Sequence, residues 1–112
     1  MAVNRRRGEV SAIIDGREAR LCLTLGALAE LEDAFAAENI SALAARFGSG
    51  SLSARDLTRI LGAGLRGAGS AISDDELARL AIEGGAAGAA RIAAELLTAA
   101  FGGEAEAPPA NP

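Results

Sequence analysis

The sequence predicts an α+β chain, mainly α: an N-terminal antiparallel β-hairpin followed by a bundle of about four to five short helices. Three observations predict it. Apolar and polar residues alternate on both sides of Asp15-Gly16; apolar residues recur at helical spacing from Leu25 onward; and half the chain is hydrophobic, much of it alanine, with phenylalanine at 35, 47 and 101 as the only aromatics. Alanine loses no side-chain entropy in a helix yet buries little area, so the expected helices pack close and shallow. A chain of 112 residues is enough for one modest core. It divides into a flexible basic arm at 1–7, a single domain of hairpin plus helices at 8–103, and a disordered tail of Pro, Ala and Glu at 104–112.

Asp15-Gly16 supplies the positive φ angles of a type I′ turn between two apolar-alternating runs. A two-residue loop pairs Ile14 with Arg17, Ala12 with Ala19 and Val10 with Leu21. Val10, Ala12, Ala19, Leu21 and Leu23 then share one face, while Glu9, Ser11, Glu18, Arg20 and Cys22 share the other. Only Ile13 breaks the pattern. A two-stranded hairpin leaves two edges unpaired, so it must dock on helices or pair with another copy through an edge.

Thr24 is the expected N-cap of the first helix, with Leu25, Leu28, Leu31 and Phe35 recurring on one side and Asn39 at its end. Asn39 also caps a short second helix carrying Ile40, Leu43 and Phe47, followed by a Gly-Ser loop at 48–51. Ser53 and Asp56 form a capping box for a third helix that buries Leu57, Ile60, Leu61 and Leu65. Ser73 and Glu76 form a stronger box for a fourth, spanning about 73–83, with Leu77, Leu80 and Ala81 facing inward. A final helix runs from about Ala86 to Phe101 and ends at Gly102-Gly103. Its broad face of Ala89, Ile92, Ala93, Leu96, Leu97, Ala100 and Phe101 is either core or a partner-binding surface.

Few residues offer chemistry. Gly62-Ala63-Gly64-Leu65-Arg66-Gly67 matches the dinucleotide-binding G-x-G-x-x-G pattern, with Glu83 about 20 residues on. That fingerprint needs a strand before it and a helix starting on it, whereas here it ends a helix; close packing and capping explain the glycines. Asp74, Asp75 and Glu76 suit a helix start, where the dipole favours negative charge, better than a metal. Cys22 is the only cysteine, which excludes an internal disulfide and fits a reducing compartment. The chain has no His, Tyr, Trp or Lys, so general acid–base groups are scarce and no enzyme, cofactor or metal site is expected. Net charge of −4 and a pI near 4.8 disfavour nucleic acid and anionic membranes, and no apolar run is long enough to span a bilayer. The Arg5-Arg6-Arg7 triplet reads as a solvated end, and Asn39-Ile40-Ser41 as an accidental sequon in a chain with no expected secretory signal.

Several segments, in order, carry a family likeness. They are Asp15-Gly16; Leu23-Thr24-Leu25-Gly26-Ala27-Leu28-Ala29-Glu30-Leu31-Glu32; Leu52-Ser53-Ala54-Arg55-Asp56-Leu57; Leu61-Gly62-Ala63-Gly64-Leu65-Arg66-Gly67; and Glu83-Gly84-Gly85. The whole resembles the small gene-transfer-agent proteins of alphaproteobacteria that are classed with phage tail assembly chaperones. The resemblance implies a non-enzymatic role in the cytoplasm of the producing bacterium: binding the tape measure protein, helping to recruit the tail tube protein, and leaving before the particle is finished. It carries no catalytic residues. Two other readings are a structural tail component retained in the particle, and a helix-turn-helix DNA-binding regulator built on the helices at about 53–66 and 73–83. The acidic start of the second of those helices argues against DNA.

Overall fold

The computed structural model describes residues 8–36, 42, 45 and 53–106, with side chains described up to residue 100. The expectations for the arm, for Ile40, Leu43 and Phe47, for the loop at 48–51 and for residues 107–112 lie outside those residues. Ala42 and Ala45, within the stretch read as a second helix, are helical and exposed.

Strands β1 (Glu9–Ile14) and β2 (Arg17–Cys22) form a two-stranded antiparallel sheet. The register is the one expected: Ile14 opposite Arg17, Ala12 opposite Ala19, Val10 opposite Leu21. Asp15 and Gly16 both have positive φ, 55° and 79°, as a type I′ turn requires. Val10, Ala12, Ile14, Leu21 and Leu23 are buried, and Ala19 packs against them half-buried.

Four helices are fully within the described residues: α1 (Leu25–Phe35), α2 (Ala54–Gly67), α3 (Asp74–Leu77) and α4 (Gly85–Glu106). Thr24 caps α1, its hydroxyl accepting the Ala27 N–H at 3.1 Å. Leu28, Leu31 and Phe35 are buried with Ala27, but Leu25 is 81% exposed. At 100° per residue, Leu25 falls about a quarter-turn from the centre of the stripe that Ala27, Leu28, Leu31 and Phe35 define. Helix α1 ends earlier than Asn39: Ala36 turns left-handed, φ 54°, and its N–H bonds back to the Asp33 carbonyl at 3.2 Å.

Helix α2 lies at the centre, packed against β2, α1, α3 and α4. The Ser53–Asp56 box forms with both hydrogen bonds, 3.0 and 3.1 Å. Every residue from Ile60 to Leu65 is buried, so this half of the helix is enclosed on all sides. Gly62, Ala63 and Gly64 make that possible, because three neighbours converge there. A methyl on Gly62 would overlap the Asp74 carboxylate, on Gly64 it would press on Leu96 and Leu21, and on Gly67 it would overlap the Cys22 carbonyl oxygen. The glycines serve close packing, not a phosphate.

The fourth helix expected over 73–83 is only one turn long. Its capping box forms, with the Ser73 N–H donating to Glu76 Oε1 at 2.8 Å and the Glu76 N–H to Ser73 Oγ at 3.1 Å. The chain then leaves the helix to serve the sheet. The Asp15 N–H donates to the Ala81 carbonyl at 2.6 Å, the Glu83 N–H to the Ile13 carbonyl at 3.0 Å, and Ile14 and Ile82 form an antiparallel bridge. Ala81 is therefore exposed as a side chain and engaged through its backbone, where an inward face was expected. Sheet hydrogen bonds to the hairpin displace the intrahelical ones that a continued helix would make.

Gly84 and Gly85, both at positive φ, turn the chain into α4. Helix α4 passes through Gly102-Gly103 to Glu106 instead of ending there. Glycine costs about 1 kcal/mol per position in a helix but does not forbid it.

Candidate functional site

The candidate partner face on α4 is turned inward. Ala89, Ile92, Ala93, Leu96 and Leu97 are all buried in the core cluster, and Ala100 packs against that cluster half-buried. The side chain of Phe101 lies outside the described residues. Leu96, fully buried, meets the glycine-lined flank of α2. These residues join α4 to β1 and α2 and present no open apolar stripe.

The acidic triplet diverges. Asp74 Oδ1 accepts from Arg66 Nη1 at 3.0 Å, Glu76 closes the capping box, and Asp75 is exposed. Among the described residues no group of three metal-ligating side chains converges. Arg66 is half-buried and also donates to the Ile72 carbonyl and to Glu30 Oε2, each at 3.0 Å. Burial opposes its charge, but the hydrogen bonds to Asp74 and Glu30 outweigh that and raise the guanidinium above its ordinary value. Arg66 is thus a cross-tie among α1, the 70–72 turn and α3. Its partners lie across sequence separations that periodicity does not read. Cys22 is half-buried at the end of β2, beside Gly67.

Surfaces suited to association lie elsewhere. One is an apolar groove of about 420 Å³ between α2, the 80–82 segment and the start of α4, floored by Leu57, Leu80, Ile82 and Ala89. Another is Leu25, alone at the start of α1. The third is the hairpin's outer edge. The turn end of the β1 edge is taken by Ala81–Glu83, and the Cys22 end of the β2 edge is taken by Gly67. Between the turn and Gly67, Arg17, Glu18 and Arg20 are exposed along β2.

This hairpin-plus-helices unit coincides with a known family boundary. Residues 7–103 match the family model described as "Phage tail tube protein, GTA-gp10". The chain belongs to that family. It is therefore a tail protein of the gene-transfer-agent type, as the ordered segments from Asp15 to Gly85 implied. The chaperone role drawn from the same likeness is overturned, because the family is described as the tail tube itself, a structural part. The match speaks of tail proteins and does not single out a tape measure protein as partner. No curated protein and no solved structure matches the chain. The helix-turn-helix reading also lacks its second element, since a single turn at Asp74–Leu77 is too short to lie in a major groove.

Proposed function

We propose that this tail tube family member is a structural subunit retained in the finished tail of a gene-transfer-agent or phage-like particle. The family match over residues 7–103 carries the reading. The fold supports it in two respects. The α4 face that an extended helical client would need is spent on the chain's own core. A closed core with an open strand edge suits a part that associates with other tail proteins or with copies of itself.

The role involves no catalytic step and no cofactor. Synthesis takes place in the cytoplasm of the producing bacterium, and the final location is the particle. Mass spectrometry of purified particles tests this. A stoichiometric amount relative to other tail proteins is the expected result, and absence from intact particles overturns it.

A further inference from the structure

Helix packing and the 81–83 segment leave the middle of the β2 edge open, and its composition is informative. In an antiparallel hairpin, alternate residues turn their backbone N–H and C=O groups toward the partner strand and away from it. Ile13 and Asp15, which bond outward to Glu83 and Ala81, fix the phase for β1. The register then makes Glu18, Arg20 and Cys22 the outward residues of β2. Gly67 stands against the Cys22 carbonyl. The outward backbone groups of Glu18 and Arg20 have no hydrogen-bond partner among the described residues. A free pair of this kind, on exposed residues, is a template for another strand.

We infer that β2 pairs with β2 of a second copy, antiparallel about a twofold axis at Ala19, giving a four-stranded sheet ordered β1-β2-β2-β1. Charge selects this partner and this register. With Ala19 opposite the other copy's Ala19, Glu18 faces Arg20 of the second copy and Arg20 faces its Glu18. Both pairs are of the closely spaced kind, each exchanging two backbone hydrogen bonds, and both place opposite charges directly across from one another. The neighbouring registers that keep the hydrogen-bonding phase are worse. Sliding one way sets Glu18 against Glu18, and sliding the other way sets Arg20 against Arg20. Like charges directly opposite destabilise a pair. The small Ala19 side chains meet at the axis, where the two strands approach most closely. Gly67 limits the pairing to Arg17–Leu21, and the partner's own chain turns away at Asp15-Gly16 where Gly67 stands. The interface is isologous, so it closes at two copies and leaves the other surfaces of each copy available.

This pairing supplies an association step for the structural reading above, while its geometry rests on the edge alone. Sedimentation equilibrium of the full chain over a wide concentration series tests it. The wild-type chain dimerises. Glu18→Arg and Arg20→Glu each put like charges across both symmetry-related pairs and weaken dimerisation by about tenfold or more. The double variant E18R/R20E restores the opposition and with it the wild-type association. Both side chains are exposed, so circular dichroism of all three variants matches wild type. A wild-type chain that stays monomeric overturns the pairing, as do single variants that dimerise like wild type or a double variant that fails to recover. A monomeric chain found stoichiometrically in particles overturns this interface and leaves the structural role standing. A dimer absent from particles does the reverse.

Discussion

Ala36 sits in the left-handed region at the end of α1, φ 54°, a position where glycine is the usual occupant. The Cβ penalty there is on the order of 1 kcal/mol, so Ala36→Gly raises stability by about that amount in urea unfolding. Gly67 is the opposite case. A methyl there meets the backbone carbonyl of Cys22, which has no flexible end to move, and Gly67→Ala lowers stability by about 1–3 kcal/mol. Two leucines make the same point for burial. Leu96 is fully buried, and Leu96→Ala costs about 2–5 kcal/mol. Leu25, 81% exposed, changes stability by less than about 0.5 kcal/mol as Leu25→Gln. Sequence reading grouped Leu25 with the core because a spacing of three looks helical; the angular drift that carries the first turn off the stripe is visible only once the cap is fixed.

At the level of elements, capping and charge decide where segments begin and what ties them. The Ser73–Glu76 box holds the Glu76 carboxyl below its ordinary value, chiefly through the Ser73 backbone N–H and then through its hydroxyl. A carboxyl depressed in the folded state contributes stability that is present above its unfolded value, near 4.5. That contribution is lost as pH falls through the folded value. Glu76→Gln therefore flattens the acid limb of a stability–pH profile below about pH 5 relative to wild type, read by thermal unfolding. The Arg66 cross-tie is partly solvent-exposed, at 26%, so its ion pairs are discounted for screening. Arg66→Met costs roughly 1 kcal/mol, and part of that cost disappears at high salt. The hairpin register and both capping boxes were readable from residues alone, because each depends on neighbours within a few positions. The length of α3 was not. Its box predicts a start, while its end is decided by Ile13 and Asp15, which lie far away in the chain and claim the backbone of 81–83.

For the whole molecule, alternation and helical spacing predicted the architecture, while the order of the family-like segments predicted the kind of particle and misassigned the role within it. Composition alone could not tell whether an alanine-rich apolar face on α4 meets a client or its own chain. The answer came from Gly64, which admits Leu96, and from the all-round burial of Ile60–Leu65. The open edge at Glu18 and Arg20 was equally undetermined by pattern, since the hairpin has two edges and only the fold shows where 81–83 and Gly67 cover them.

The Ile14–Ile82 bridge also sets an order of events. The hairpin closes through contacts a few residues apart, which form early. The turn end of its β1 edge is covered by residues 81–83, a contact of high sequence separation that forms late. On the ribosome, the turn end of the β1 edge therefore stays exposed until the 81–83 segment emerges. A substitution such as Ile82→Ala accordingly speeds unfolding while leaving the refolding rate nearly unchanged, a signature that stopped-flow kinetics reads directly.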